Sequence, residues 1–331
     1  MSSVFVTHPK DKLDQYFGAN ATRALLAIAE VRFNPEPREL STPELIAAAK
    51  GCSALIAYRQ TPGPESLFRE LPELVAFVRC AVDIRTVDVA AASAHGVLVT
   101  QASAGYVPAV SEWIVAAMID LGRGISRHAE AGHRGLPVAP VMGRELRGST
   151  VGVIGYGQIG SYLCDLALAF GMHVLVTTPG SIAERPRLRQ VPLDALLAGS
   201  DFVVCLAPAN AETGNMLNAR AFAAMKPGAF FVNAARGELV DDVALLGALD
   251  SGHLAGCALD VGRAPDQMPT PVLARHPLVL ATPHIGGLTL PAIEHQALES
   301  VAQTTLLLEG EIPHGAVNAE HADRLHRRAH G

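Results

Sequence analysis

The stretch VGVIGYGQIGSYLCDLALAFGMHVLVTTPGS, residues 151–181, decides the fold. Val151 to Ile154 form a short apolar run of the kind that a strand buried on both faces requires. Gly155-Tyr156-Gly157-Gln158-Ile159-Gly160 follows, then an apolar-periodic stretch to Phe170, a stop at Gly171, and a second apolar run from Val174 to Val176. Strand, glycine loop, helix and strand make a unit that holds a dinucleotide pyrophosphate on backbone amides at a helix N-terminus. Gly155 permits the tight turn, Gly157 lets the backbone approach the phosphates, and Gly160 lets the helix pack closely on the strand; Gln158 and Ile159, between them, join the cofactor-binding set. A GxGxxG string also arises by chance in turns, so its place between an apolar strand and an amphipathic helix carries the weight. One residue is missing. About twenty residues on, an Asp or Glu is expected to grip the adenosine ribose, and here the second run ends in Thr177-Thr178-Pro179.

Around this unit the chain offers six strand-like runs, VGVIG, HVLVTT, DFVVCLA, AFFVNAA, LAGCALDV and LVLATPH. Six is the strand count of a complete dinucleotide-binding sheet. Before it, short apolar runs alternate with helix-like stretches: VFVTH at 4, ATRALLAIAEVRF at 21, TPELIAAAKG at 42, ALIAY at 54, LVAFVRCAV at 74, TVDVAAASAHG at 86 and VLVTQA at 97. Such alternation predicts a second parallel sheet with helices on both faces. Residues 108–131 read as one long helix leaving that domain, 132–148 as an irregular connector, and the polar, His-rich tail after Asn318 as a frayed end.

With 331 residues, 49% hydrophobic and 18% charged, the chain is long enough for two cores. A net charge of −6 and the lack of a basic stripe exclude a nucleic-acid or membrane-surface partner that needs a positive field. The cysteines Cys52, Cys80, Cys164, Cys205 and Cys257 lie inside apolar runs without CxxC spacing. They read as buried thiols in a reducing compartment, with no metal site. The opening MSSVFVTHPKDK runs straight into a strand and a charged turn, without a signal peptide or an apolar span, so a cytoplasmic protein is expected.

In an open parallel sheet the ligand crevice lies at the carboxyl ends of the strands, so the residues just past each apolar run carry the chemistry. Arg236 follows AFFVNAA, Asp260 follows LAGCAL, and His284 follows LVLATP. A hydride-carrying cofactor needs a proton donor or acceptor and a cation for the substrate. Imidazole titrates near neutral pH, which suits His284; the planar fork of Arg236 binds a carboxylate bidentately and polarises a carbonyl beside it. Singly, each has a plainer reading, a surface ion-pair partner for the Arg and a turn hydrogen bond for the His, and their joint placement gives them weight.

These residues resemble the D-isomer-specific 2-hydroxyacid dehydrogenases, the family of phosphoglycerate dehydrogenase and the glyoxylate and hydroxypyruvate reductases. The resemblance covers nearly the whole chain: GYGQIG at 155, DFVVCLAPANAETGNMLN from 201, MKPGAFFVNAARGELVDDVALLGALDSGHLAGCALDV from 225, ATPHIGG from 281 and EGEIPHGAVN from 309. It implies an α/β protein of two doubly wound parallel-sheet domains, a Rossmann dinucleotide-binding domain (106–289) inserted into a flavodoxin-like substrate domain (1–105 with 290–331). It implies a homodimer using NAD or NADP on a small 2-oxoacid or D-2-hydroxyacid, with the active site between the domains. In that scheme Arg236 binds the substrate, His284 is the acid/base, Asp260 contacts the nicotinamide amide, and Thr213 and Ala234 line the cofactor.

Three departures stand out. The family's Glu that orients the His, within DVFxxEP, falls on Pro265; Asp266 is either its substitute as third catalytic residue or a solvated loop acid. The loop that reads GVGVDNVD, whose amides hold the substrate carboxylate, reads Ala81-Val82-Asp83-Ile84-Arg85-Thr86-Val87-Asp88. Val82 and Asp83 are thus substrate-site residues; an acid there needs compensation from Arg85 or Arg59, or else Asp83 points away from the cleft. Thr178 replaces the ribose-binding Asp, which removes a barrier against NADP and leaves Ser181, Arg185, Arg187 and Arg189 as candidate phosphate ligands, or as a solvated face. From another class, a dinucleotide-sensing corepressor of the same fold would retain the nucleotide site and need no proton relay.

Overall fold

The structure, a computed structural model, describes residues 3–264 and 267–329. The chain divides into two compact units, Met1–Tyr106 with Leu290–Gly331, and Val107–Thr289.

The first unit holds five parallel strands, β1 (Ser3–Val6), β2 (Glu30–Phe33), β3 (Ala54–Ala57), β4 (Ala76–Arg79) and β5 (Leu98–Gln101), in the order β2-β1-β3-β4-β5. This is the flavodoxin-like winding. Successive side chains of a strand face opposite ways. Val4, Val6, Ile56, Val78 and Leu98 therefore pack on one side with Phe17, Leu25 and, from the helix Leu290–Leu308, Ala297, Val301 and Leu307. Phe5, Leu55, Phe77 and Val99 pack on the other with Leu45, Leu67 and Phe68.

As far as Ala329 the tail is not frayed. Asn318 is buried; its side chain accepts from the Val99 amide at 2.7 Å and donates to the Val97 carbonyl at 3.0 Å and the Ser93 hydroxyl at 2.9 Å. A short helix, Asp323–Ala329, follows, with Leu325 buried and Arg324 donating to the carbonyls of Phe68, Leu71 and Leu74. A few well-placed contacts hold a segment whose composition alone signals disorder.

The second unit carries seven parallel strands, β6 (Thr150–Ile154), β7 (His173–Thr177), β8 (Leu188–Gln190), β9 (Phe202–Cys205), β10 (Ala229–Asn233), β11 (Leu254–Leu259) and β12 (Val279–Ala281). Their order, β12-β11-β10-β9-β6-β7-β8, is that of a doubly wound Rossmann sheet whose winding reverses between β6 and β9. The strand beyond the expected six is β8, three residues in an Arg-rich stretch that buries only Leu188. The long helix is two, Val107–Arg123 and Ile125–His133, broken at Gly124, where φ is +62° and Asp120 accepts from the amide and hydroxyl of Ser126. Among the described residues no helix is long and apolar enough to cross a membrane.

Candidate active site

At the carboxyl end of β6, Gly155 takes φ +103°, and a Cβ there would lie 2.7 Å from the Leu206 carbonyl oxygen. A Cβ on Gly160 would lie 2.2 Å from the Gly155 carbonyl oxygen. Only glycine fits either position. Gly157 caps the helix Gln158–Ala169 without a side-chain cap bond, and a Cβ there would meet nothing within 4 Å. Open space thus lies beside backbone amides at the positive end of a helix, a cradle that fits a dinucleotide pyrophosphate.

Thr178 follows β7 and is half-buried. The loop after it is pinned by Gln190, which donates to the carbonyls of Thr178 at 3.1 Å and Gly180 at 2.7 Å and accepts from the Ile182 amide at 3.0 Å. The candidate phosphate ligands do not gather there. Arg185 bridges Asp165 at 2.7 Å, Arg187 donates to the Gly171 carbonyl beyond the opposite end of β7, and Arg189 sits inside β8 opposite Leu175. Ser181 is exposed in the pinned loop.

Ala234 and Arg236 follow β10, Asp260 follows β11 and His284 follows β12, three neighbouring strands. Asn233, a buried polar residue closing an apolar strand, donates to the Arg236 carbonyl at 2.9 Å and accepts from the Ala235 amide at 3.1 Å. It thereby shapes the turn that carries Ala234 and Arg236, both half-buried. Sequence reading passed over Asn233; an amide at the end of AFFV was its only signal. Asp260 is 3% exposed and accepts from the Thr282 hydroxyl at 2.6 Å and from the amides of Ile285 at 2.8 Å and Gly286 at 2.7 Å. Its carboxylate therefore holds the loop bearing His284, which takes φ +55°, a strained conformation for a side chain this large. The loops after β10 and β11 touch through bare backbone, since a Cβ on Gly237 would fall 2.1 Å from the Gly262 carbonyl carbon. Arg263 ties them, donating to the carbonyls of Val240 at 2.9 Å and Glu238 at 3.0 Å and to the Asn215 side chain. The Thr213 hydroxyl donates to the Pro208 carbonyl at 2.7 Å and accepts from the Asn210 amide at 2.9 Å, which fixes the loop after β9. Asp266 lies outside the described residues.

In the first unit, Ala81–Arg85 follow β4. Asp83 accepts from the Arg85 amide at 3.0 Å and from its guanidinium at 2.8 and 3.1 Å, so the acid at this position is met by a cation two residues on, and Val82 beside it is half-buried. Arg59, the other expected compensator, stands 5.4 Å from the Tyr16 ring.

A sequence model described as D-isomer specific 2-hydroxyacid dehydrogenase, NAD binding domain, matches residues 115–286. The chain is 33% identical over 315 residues to D-3-phosphoglycerate dehydrogenase of Mycobacterium leprae, covering 94% of this chain and 58% of that one. It is 32% identical over 324 residues to glyoxylate reductase of Thermococcus gammatolerans, covering 94% and 96% of the two chains. A solved structure of D-2-hydroxyisocaproate dehydrogenase matches with a TM-score of 0.85 at 25% identity, covering 96% of this chain and 99% of that one. The chain spans 49% to 58% of the length of the phosphoglycerate dehydrogenases it matches. From the glycine cradle at the end of β6 to these matches, the observations agree: the chain belongs to the D-isomer specific 2-hydroxyacid dehydrogenase family.

Proposed function

We propose that the protein is an NAD-dependent oxidoreductase that interconverts a small 2-oxoacid and the matching D-2-hydroxyacid. One geometric observation carries the reading: Arg236, Asp260 and the His284 loop follow three neighbouring parallel strands at the carboxyl edge of the nucleotide-holding sheet. Bound NAD supplies or accepts the hydride. Gly155, Gly157, Gln158, Ile159 and Gly160 hold its pyrophosphate, while Thr178, Thr213, Ala234 and Asp260 line it. In the reducing direction, imidazolium at His284 gives a proton to the carbonyl oxygen; in oxidation the neutral ring takes it back. Arg236 binds the carboxylate and stabilises the developing alkoxide. The first unit serves as the substrate domain, with the backbone at Val82 and Asp83 facing the carboxylate. Asp266 is the candidate orienting acid for His284.

NAD is favoured over NADP because Arg185 is engaged by Asp165 and Arg187 by the Gly171 carbonyl, although no acid at Thr178 repels a 2′-phosphate. Glyoxylate and hydroxypyruvate head the substrate list, by analogy with the glyoxylate reductase relative. The family's usual state makes a homodimer the expected assembly. The test is a panel of 2-oxoacids assayed with NADH and NADPH, repeated with His284→Ala. Turnover is expected to disappear in the variant while NADH binding stays within about twofold; turnover at the wild-type rate would remove His284 from the mechanism.

A further inference from the structure

Arg79, the last residue of β4, is the largest fully buried side chain described, with no exposed surface. Its guanidinium donates to the carbonyls of Tyr58 and Thr61 and to the Thr86 hydroxyl, the latter two at 2.8 Å. Its Nε has no partner, and the group lies 5.4 Å from the Phe77 ring. Among the described residues no carboxylate bridges it. Asp83 and Glu39 favour its charge from a distance, and Asp83 is already met by Arg85. Burial lowers its pKa to about 10, which leaves it cationic at neutral pH.

A buried cation held only by neutral acceptors is a poor way to stabilise a core, because the lost hydration of the charge is not returned by an opposite one. What the charge does achieve follows from its place. Arg79 directly precedes the loop Cys80–Arg85, and its three bonds span that segment and the Tyr58–Thr61 turn, which presents Arg59. Lys12, Arg59 and Arg79 all act on Glu39, and Asp83 acts on Arg79. Arg85 adds a further cation beside Asp83, and Glu299 acts on the neighbouring Cys80.

We propose that Arg79 is a positioning residue for an anionic substrate: it cross-braces the Tyr58–Thr61 and Cys80–Thr86 loops and supplies positive charge that no carboxylate bridges behind the loop that receives the substrate carboxylate. This rests on the 2-oxoacid reading for the identity of the anion and on the first unit alone for the brace.

Three variants separate brace from charge: Arg79→Met loses both, Arg79→Lys keeps the charge and loses the fork, and Thr86→Val removes one strut. The readouts are kcat and KM for the 2-oxoacid and for NADH, the Kd of oxalate by calorimetry, and amide hydrogen exchange over residues 58–63 and 80–88. Arg79→Met is expected to raise the 2-oxoacid KM and the oxalate Kd by ~10-fold or more, with kcat and the NADH KM within ~2-fold. Arg79→Lys should recover part of the oxalate affinity but exchange as fast as Arg79→Met in both loops. Thr86→Val should speed exchange over 80–88 and change KM by ~3-fold or less. Should Arg79→Met fail to fold, Arg79→Lys and Thr86→Val still report on the brace, and normal exchange in both would overturn the proposal. It is equally overturned if folded Arg79→Met binds oxalate as the wild type does, or if kcat falls and both KM values rise together. A wild-type protein that binds oxalate through Arg79 but reduces no 2-oxoacid would sink the functional reading and leave the proposal standing.

Discussion

Single residues here do work that their type does not announce. Asp260, expected to touch the nicotinamide amide, spends three acceptor positions on the loop that carries His284. Asp260→Asn turns one of its oxygens into a donor, and an amide set against the Gly286 or Ile285 N–H unseats the loop. We expect kcat to drop by ~10-fold or more with the fold intact, read by steady-state kinetics beside circular dichroism; an unchanged kcat would mean that the loop holds itself. His8 is another case. It is buried between Phe17 and Tyr58 with Nδ1 unpartnered, and burial lowers its pKa from 6.5 to about 3. The unfolded chain binds the proton below pH 6.5 and the folded chain refuses it down to about 3, so stability is full above 6.5 and falls with pH across that window. The loss by pH 4 is roughly 3 kcal/mol from this group. Glu44 and Asp201, both shifted down by their hydrogen bonds to cations, push in the same direction. In urea titrations at pH 7.5 and pH 4, His8→Phe should narrow the difference between the two midpoints; an unaltered difference would clear His8 of the effect.

Among the elements, what could be read in advance follows how strongly each segment is patterned. VGVIG with its glycines, and the apolar runs behind β9, β10 and β11, announce themselves because strands buried on both faces must be continuously apolar. The strand β8 does not: an edge strand with one buried side chain has no period to detect. The break at Gly124 is equally silent, since a helix pattern continues on both sides and only the αL turn, capped by Asp120, redirects the chain. Arg79 and Asn233 were hidden for a related reason, as polar residues closing apolar strands whose partners are backbone atoms far off in sequence. The loop after β7 shows the reverse, a legible absence. Thr178→Asp would put an acceptor at the ribose position and is expected to raise the ratio of NADH to NADPH efficiency by ~10-fold or more. No change in that ratio would show that Thr178 does not face the ribose.

On the scale of the whole molecule, the first unit is discontinuous, and its integrity depends on residues that follow the second. Asn318 knits the tail to Val99 of β5 and to Val97 and Ser93 before it through three hydrogen bonds, so Asn318→Ala should lower stability by about 2 to 3 kcal/mol in denaturant titration, with NADH binding unchanged. A smaller loss, below ~0.5 kcal/mol, would return the tail to the status of a passenger. The same discontinuity sets an order of assembly during synthesis. Val107–Thr289 emerges as one contiguous piece able to complete its own sheet. The faces of Ile56, Val78 and Leu98 meanwhile wait for the helix Leu290–Leu308. At ribosomal speed that wait is roughly 10 to 40 s, during which these already synthesised strands carry an uncovered apolar sheet face. The unit made first is therefore finished last, and it is the one that a cotranslational chaperone would be expected to hold.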